Sequence, residues 1–523
     1  MAQFHAFYDT ETTGPVPRFD QILQAAAILT DDDFVEIESF DERCRLSSRI
    51  IPTAGALKVT DVDPADLARA PHDPHGFARM LHDRFSGWGA RGDLAYTGYN
   101  ILNFDEEILR QTFWENLLDP YLSSGRGRSR NDLLRVARAM YARNPDCLEV
   151  ARNPETGKPN FKLETLAPLN GFDGHDAHDA LGDVRATIFV ARMIRDTDPA
   201  LWHHLSDMGN ANAARDFIEA ERMVRMVNAS ATNPGALDVM LVASQPDNAK
   251  AKMVFDLSKD PLPYLDLGPE ELLAVMNGKE SPLRSVKCNK QPTIFPMGWE
   301  FLNRAADIPD TDTATMEARA EMIAAHDDFR ANTAQAMKMR VDSYDAPTCL
   351  EEKIYAGFPS DATKRLMRDF HAQPDWARKL DIVRSIDHDT TRALGLRLVY
   401  DNAPDTLTPP MREACAARLA DERFTLATGK PWTTVGDLMA ELDKMQAAAP
   451  DDPHLAAIRA WAIATYPVAA AWTGGEPVVE DPAAHADASG VTDIPEDASE
   501  ITTAGSSTPA NAAPAPHFLD GLA

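Results

Sequence analysis

Positive charge is scarce in this chain. Its 523 residues carry 52 Lys and Arg against 81 Asp and Glu, for a formal net charge of −29. Nine of the acids, but no Lys or Arg, lie from Gly474 onward, which leaves about −20 on the rest of the chain. This balance excludes a globally basic surface, so contact with a nucleic acid would depend on local basic patches in a repulsive field.

Cysteine and long apolar runs are also scarce. The five cysteines are scattered, form no CxxC pair and are odd in number, which argues against a disulfide framework. No run of about 18 apolar residues is present that could span a membrane. The opening MAQFHAFYD has neither the charge nor the length of a signal peptide. We therefore expect a cytoplasmic protein without membrane contact.

Two acids near the start of the chain, in FYDTETTG, form the first candidate site. The apolar run at residues 3–8 predicts a buried strand, and Asp9 and Glu11 fall at its carboxyl end, where open α/β sheets bind ligands. Since side chains alternate along a strand, both acids should point to one side. A lone DxE after a strand is common, so the pair needs support from elsewhere.

A third acid follows a second strand-like run at residues 94–99. Asp105 opens the helix-like stretch DEEILRQTFWENLL and can meet the first pair at the same sheet edge. Taken alone, Asp105 could equally be a helix N-cap, which aspartate favours.

The last acid and a histidine lie in HDAHDALGDVRATI. Apolar residues recur there at helical spacing, which predicts an amphipathic helix containing Asp183. His178 is five residues earlier, so it does not share a helix face with Asp183 and would reach in from the start of the helix. Taken alone, His178 could be an ordinary surface histidine.

The four acids together need a counter-charge, and divalent metal ions supply it. Mg²⁺ prefers carboxylate oxygens and the phosphates of a substrate, so the set predicts a metal-dependent nuclease. With an unperturbed pKa of about 6.5, His178 suits a general base that takes a proton from a metal-bound water. In-line hydrolysis of a phosphodiester would follow.

The segments DTETTG, YNILNFDEE and HDALGDVRAT resemble the three motifs of the DEDDh 3′–5′ exonucleases. Further segments, FWENLLDPY, NDLLRVARAMYA, FKLETLAPLNG and EEKIYAGFPSDATKRLM, are similar to bacterial exonuclease I, so the resemblance covers roughly residues 4–465. It implies 3′-to-5′ degradation of single-stranded DNA to 5′-mononucleotides in DNA repair and recombination. It also implies a monomer, two Mg²⁺ ions that Mn²⁺ can replace, and single-stranded DNA-binding protein as a partner.

The resemblance further implies a role for each matching residue. Asp9, Glu11 and Asp183 would hold the metals, Asp105 would assist the second metal, and His178 would be the general base. The implied substrate-binding residues are Glu11, Arg110, Lys162 and Tyr121. Arginine is more usual where this chain has Lys162, and lysine lacks the planar fork for a bidentate phosphate contact.

Basic and aromatic residues offer further candidates for DNA contact. Five arginines between residues 125 and 138 could form a basic patch or simply a solvated loop and helix surface. Of Phe113, Trp114 and Tyr121, which could stack on bases, we expect at least two in the core. For the downstream cluster of Arg284, Lys287 and Lys290, a solvated strand edge is the favoured interpretation.

The length predicts about three domains in a multidomain α/β protein. We expect a ribonuclease H-like α/β exonuclease domain at 1–198, an SH3-like β-rich domain at 199–349 and an α-helical domain at 350–473, the domain types following from the resemblance. The acidic, Ala- and Pro-rich segment 474–523 should be a disordered tail.

Two other functions stay open. One is an RNA-trimming or proofreading exonuclease of the same motif group, since the metal site acts on the phosphodiester and ignores the sugar. The other is a non-catalytic single-strand-binding scaffold on a nuclease fold. The complete set of site residues argues against a scaffold, and the long carboxyl extension argues against the other exonucleases.

Overall fold

The structure, a computed structural model, describes residues 3–60, 67–173, 180–228, 234–303 and 311–474. His178 and nearly all of the segment predicted to be a disordered tail lie outside these ranges.

The N-terminal region, residues 3–221, is built on one mixed sheet. Its strands are β1 (Phe4–Thr12), β2 (Ile22–Asp31), β3 (Glu36–Arg43), β4 (Leu94–Gly98) and β5 (Arg128–Asp132). Across the sheet these described strands are ordered β3-β2-β1-β4-β5, with β1 antiparallel to β2 and parallel to β4. A short hairpin is formed by β6 (Ala151–Arg152) and β7 (Pro159–Asn160).

Helices cover both faces of this sheet. They are α1 (Ala54–Val59), α2 (Pro74–Gly89), α3 (Asp105–Glu115), α4 (Leu133–Arg143), α5 (Leu163–Leu169), α6 (Ala180–Thr197), α7 (Pro199–Met208) and α8 (Ala211–Glu221). Alternation along β1 separates the two cores: Phe7 packs with Val184 of α6, while Tyr8 packs with Phe77 of α2 and Ile108 of α3. The same alternation decides to which face of the sheet each of the acids that follow on β1 points.

The β-rich region, residues 223–342, contains an antiparallel sheet. Its elements are β8 (Met223–Val227), β9 (Ala236–Gln245), β10 (Asn248–Asp256), α9 (Pro269–Met276), β11 (Leu283–Lys287), β12 (Ile294–Pro296), α10 (Thr313–Ala325) and α11 (Asp327–Asp342). The described strands are ordered β11-β10-β9-β8-β12. One face packs on α9, α10 and α11, and the other packs on α8.

The helical region, residues 351–471, packs against the N-terminal region through two apolar clusters. Its helices are α12 (Asp361–Ala372), α13 (Trp376–Arg384), α14 (Asp389–Asn402), α15 (Pro409–Glu422), α16 (Val435–Ala448) and α17 (Pro453–Thr465). One cluster joins α12, α13 and α14 to Leu117, and the other joins α16 and α17 to Leu23 and Leu57. Short 3₁₀ turns lie at Ile101–Asn103, Pro145–Cys147, Leu262–Tyr264, Cys288–Lys290, Glu351–Tyr355, Pro404–Thr406 and Pro467–Ala471.

The predicted fold class, an α/β domain followed by β-rich and helical parts, is confirmed. The sequence placed the start of the helical domain at residue 350, whereas helix α10 already begins at Thr313. Helices α10 and α11 cover the β-rich sheet, so the pattern of helices does not mark where that region ends. Among the described residues, no helix is long and apolar enough to cross a membrane.

Candidate active site

Three of the predicted acids converge at the carboxyl end of β1. Asp9 and Glu11 on β1 and Asp183 on α6 each offer a carboxylate oxygen, and these oxygens lie within 4.8 Å of one another. All three side chains are half-buried. Two residues apart on a strand, Asp9 and Glu11 point to the same face, and the first turn of α6 brings Asp183 to that face.

Within the acid group, defined as Asp9, Glu11 and Asp183, the neighbours that act on the charge of Asp9 are acids. Burial raises the pKa of Asp9 well above its usual value, and the negative charges of Asp105 and Asp183 add to the shift. Partly buried carboxylates that repel one another are stabilised by a bound cation. An all-oxygen donor set of this kind fits a hard divalent metal ion.

Asp105 is held next to the acid group by the other face of β1. The Thr10 hydroxyl donates to Asp105 Oδ1 at 2.6 Å, and the Thr10 backbone N–H donates to the same oxygen at 3.1 Å. Burial raises the pKa of Asp105 to about 7, although the Thr10 hydrogen bond opposes that shift. Asp105 is the first residue of α3, so its side chain is fixed by Thr10 and does not act as the helix N-cap.

The next two residues of α3 are also buried acids, but each has cationic partners. Glu106 Oε1 lies 3.0 Å from Arg110 Nη2 and 3.5 Å from Arg130 Nη1, and Glu106 Oε2 accepts a hydrogen bond from Tyr8 at 3.0 Å. Although burial opposes it, the charges of Arg110 and Arg130 lower the pKa of Glu106. This pairing fixes α3 against β5.

Glu107 joins α3 to the other two regions. It forms an ion pair with Lys290 of the β-rich region, and its Oε2 accepts a hydrogen bond from Tyr355 of the helical region at 2.9 Å. Lys290 Nζ also donates to the Leu102 carbonyl at 2.7 Å, in the turn that leads into Asp105. The solvated-edge interpretation is therefore wrong for Lys290.

The turn between β4 and α3 is tightly constrained. A Cβ at Gly98 would lie 2.7 Å from the Tyr8 carbonyl oxygen, so only glycine allows β4 to approach β1 this closely. Asn100 follows in a left-handed conformation (φ 63°), and its N–H donates to Asp132 Oδ1 at 3.0 Å. These contacts position the start of α3 and therefore Asp105.

The predicted substrate-binding residues lie in different surroundings. The Lys162 side chain is 70% exposed, with its Nζ 3.2 Å from Glu164 Oε1. Arg110 is only 4% exposed, and its guanidinium lies 5.6 Å from the centre of the Tyr121 ring. The Tyr121 ring also contacts Phe358, with 5.8 Å between ring centres.

The arginines between residues 125 and 138 do not form one exposed patch. Arg128 donates to the backbone carbonyls of Gly89, Gly92 and Gly127, and Arg130 is buried against Glu106. Their charges hold the sheet edge together and are not displayed to a ligand. As expected for two of the three aromatics, Phe113 is in the core and Trp114 packs against the helical region.

Thr10, Glu106, Glu107, Lys290 and Tyr355 were not assigned to the site from the sequence. The triplet Asp105, Glu106 and Glu107 was a signal that Glu106 and Glu107 matter, because consecutive buried acids need different partners. No local pattern identifies Lys290 or Tyr355, since both reach α3 from distant parts of the chain.

Comparison with known proteins agrees with this geometry. Residues 6–191 match the exonuclease family model of the RNase T type. Exodeoxyribonuclease I of Escherichia coli (strain K12) is 32% identical over 302 residues, 55% of this chain and 62% of that protein, so the alignment spans less than two thirds of its length. The Haemophilus influenzae exodeoxyribonuclease I is 28% identical over 383 residues, 70% of this chain and 80% of that protein.

Solved structures extend the likeness to the whole described fold. Exonuclease I from Methylocaldum szegediense superposes with a TM-score of 0.76 at 25% identity, covering 88% of this chain and 99% of that chain. For E. coli exonuclease I in complex with a dT13 oligonucleotide, the TM-score is 0.75 at 24% identity, with 89% of this chain and 99% of that chain covered. The ribonuclease H-like fold expected of the N-terminal region is confirmed, and the chain is similar to exonuclease I across all three of its regions.

Proposed function

We propose that this protein is a metal-dependent exonuclease that degrades single-stranded DNA from its 3′ end and releases 5′-mononucleotides, in DNA repair and recombination. The observation that carries the proposal is the acid group at the carboxyl end of β1, in a region that matches an exonuclease family model over residues 6–191. E. coli exonuclease I, which this chain resembles in fold, has been solved in complex with a dT13 oligonucleotide, which supports single-stranded DNA as the substrate.

Asp9, Glu11 and Asp183 would hold two Mg²⁺ ions, which Mn²⁺ could replace, and Asp105 would assist the second one. Such ions activate a water molecule and stabilise the charge that develops on the phosphate. Thr10 keeps Asp105 in place through the two hydrogen bonds to its Oδ1. His178, which lies outside the described residues, would be the general base that takes the proton from the attacking water.

Lys162 and Tyr121 are the residues that we propose contact the strand, with Glu11 near the terminal nucleotide. Lys162 is exposed and can reach a phosphate, and Tyr121 offers a ring for stacking. Arg110 is buried and paired with Glu106, so we propose that it positions Tyr121 through the contact of its guanidinium with the ring.

End-labelled substrates test the proposal directly. With Mg²⁺, linear single-stranded DNA labelled at the 5′ end should shorten progressively, while a 3′ label should be released at once as a mononucleotide. A duplex end should react slowly, because splaying the terminal nucleotide out of a duplex costs a few kcal/mol more. EDTA should stop the reaction.

The same assay, extended to circular single-stranded DNA and to RNA, separates the alternatives. Efficient cutting of circular single-stranded DNA would contradict an exonuclease, faster degradation of RNA would indicate an RNA-trimming enzyme, and binding without hydrolysis would indicate a scaffold. We also propose a cytoplasmic monomer that binds single-stranded DNA-binding protein. Light scattering coupled to size-exclusion chromatography, alone and with that partner, tests the monomeric state and the binding of the partner.

A further inference from the structure

One lysine of the β-rich region binds the chain on both sides of Asp105. Lys290 Nζ donates to the Leu102 carbonyl at 2.7 Å, in the turn that leads into α3. The same Nζ forms an ion pair with Glu107, in the first turn of α3. The Lys290 side chain is only 14% exposed. A single ammonium group therefore fixes both the turn before Asp105 and the start of the helix that follows.

The start of α3 is not capped by a side chain of its own. Ser, Thr, Asn and Asp are preferred at the N-cap because their side chains accept hydrogen bonds from the first turn. Phe104 occupies that position here and accepts none through its side chain. The Leu102 backbone N–H donates to Asp132 Oδ2 at 3.3 Å, so the turn before α3 is also held from β5. The position of α3, and with it that of Asp105, therefore depends on partners from other parts of the chain.

The turn that contains Lys290 is itself bound to the sheet of the N-terminal region. Lys290 is the last residue of a short 3₁₀ turn, and the carbonyl of Asn289 in that turn accepts a hydrogen bond from Arg130 Nη2 at 2.9 Å. Gln291 Oε1 accepts from the Asp132 backbone N–H at 2.7 Å. Arg130 and Asp132 both belong to β5, so the backbone around Lys290 is fixed relative to the sheet on which the acid group is built.

We propose that Lys290 is a positioning residue for the metal site: by binding the chain on both sides of Asp105, it keeps this carboxylate where it can assist a metal ion at the acid group. Thr10 holds Asp105 Oδ1 directly, and Lys290 holds the backbone that carries Asp105. Outer partners that orient a metal-site residue without touching the metal typically contribute roughly 10- to 100-fold to metal affinity or activity. The proposal rests on the metal-dependent function proposed above.

The charge of Lys290 alone would have the opposite effect on metal binding. Its positive charge lies near a group of carboxylates, so removing it would strengthen the binding of a divalent cation if the lysine acted only through its field. If the ion pair with Glu107 only joined two regions of the protein, its loss would lower stability and leave metal binding unchanged. Weaker metal binding in a folded variant is therefore the result that identifies a positioning residue.

Calorimetric titration of the full-length protein with Mn²⁺ tests the proposal without relying on nuclease activity. Lys290→Met keeps the length of the buried side chain and removes the ammonium group. We expect its affinity for the metal ion that Asp105 assists to fall about tenfold. In the nuclease assay, the Mg²⁺ concentration for half-maximal turnover should rise by the same factor, with KM for single-stranded DNA unchanged.

The matched control is Lys252→Met. Lys252 is also a buried lysine of the β-rich region, but its Nζ forms an ion pair with Glu219 of α8 and donates to Ser244 Oγ at 2.8 Å. Its replacement should lower stability and leave Mn²⁺ binding unchanged. Because Lys290→Met leaves Glu107 without its cation, the double variant Lys290→Met/Glu107→Gln is measured as well, and its Mn²⁺ affinity should also fall severalfold.

The titration separates a failure of this inference from a failure of the proposed function. Wild-type Mn²⁺ affinity in folded Lys290→Met, or in the double variant, would overturn the inference and leave the proposed function standing. Equal weakening by Lys290→Met and Lys252→Met would reveal a general effect of lost stability and would overturn the inference as well. If the wild-type protein bound no Mn²⁺, or bound it equally after Asp9→Asn, the metal site would be wrong, and the proposed function would fail together with the inference.

Discussion

Asp105 and Glu107 lie two residues apart on α3 and are both largely shielded from solvent, yet their pKa values shift in opposite directions. Burial raises the pKa of Asp105 to about 7. Burial also acts on Glu107, but the charges of Lys290 and Arg110 outweigh it and lower its pKa to about 2. The difference lies in the partners, since Asp105 adjoins acids and Glu107 adjoins cations.

The same contrast separates the acid group from the pair Glu106 and Glu107. Arg110, Arg130 and Lys290 supply the counter-charge for the pair, which makes it a junction between regions of the protein. The acid group brings three carboxylates together, and we propose that divalent metal ions supply its counter-charge. The two sets of carboxylates thus have different surroundings, and substitutions can separate them.

The largest expected effect is the loss of activity when the acid group is broken. Asp183→Asn or Asp9→Asn should lower turnover of single-stranded DNA roughly 10³-fold or more, because metal stabilisation of the transition state is worth several kcal/mol. Stability in EDTA should be unchanged or higher, since one of several mutually repelling charges is gone. Turnover with Mg²⁺ and thermal unfolding with EDTA measure the two effects.

The control for this prediction is Asp196→Asn, an exposed acid on the same helix as Asp183. It should leave both turnover and stability unchanged. Near-normal turnover of Asp183→Asn would contradict the assignment of this residue to the metals.

Removing the charge of a paired carboxylate should lower stability, whereas breaking the acid group should lower turnover. Glu106→Gln leaves Arg110 and Arg130 buried without their counter-charge, so the free energy of unfolding should fall by about 3–5 kcal/mol. The exposed pair of Glu164 and Lys162 offers a matched control, and Glu164→Gln should cost no more than about 1 kcal/mol. Urea unfolding followed by tryptophan fluorescence compares the two, and equal losses would refute a structural role specific to Glu106.

A third buried cluster consists of two histidines whose neutral forms are favoured by burial. The rings of His75 on α2 and His371 on α12 stack with 5.6 Å between their centres. Burial lowers the pKa of His75 to about 4 and that of His371 to about 3. Lys379 lies nearby, and its positive charge also disfavours protonation of both rings.

This cluster predicts a loss of stability in mild acid. The unfolded chain binds a proton at each histidine near pH 6.5, whereas the folded chain does so only near pH 4 or below. The contribution is therefore complete above about pH 6.5 and falls as the pH drops towards 4, by roughly 3 kcal/mol for His75. His75→Gln should flatten the difference in unfolding free energy between pH 7 and pH 4, whereas the exposed His203→Gln should not. Parallel pH profiles for wild type and His75→Gln would contradict the prediction.

The sequence predicted the acid group because the contacts that form it follow local periodicities. Alternation along β1 aligns Asp9 with Glu11, and helical spacing around Asp183 identifies the apolar face of α6. Both patterns are properties of a short segment, so the chemistry of the group could be inferred before the fold was known.

The cationic partners could not be predicted in this way. Lys290 and Glu107 are 183 positions apart, and only the packing of the β-rich region on α3 brings them together. Likewise, the five arginines between residues 125 and 138 left a basic patch and a solvated surface both open, and only the fold shows that Arg128 and Arg130 bind other parts of the protein. Local sequence shows where charges lie along the chain, but long-range packing decides which of them meet.

The smallest expected effect concerns Lys162, the one predicted strand-binding cation that is well exposed. If Lys162 contacts a phosphate, Lys162→Ala should raise KM severalfold with kcat unchanged, and the salt dependence of log KM should fall by about 0.7 in slope, as for one phosphate contact on a single strand. Lys162→Arg should restore both values, because it keeps the charge. Glu164→Gln should leave the slope unchanged while removing the nearby carboxylate. Steady-state kinetics across a salt series would measure all three variants, and an unchanged slope in Lys162→Ala would show that this lysine lies off the path of the DNA.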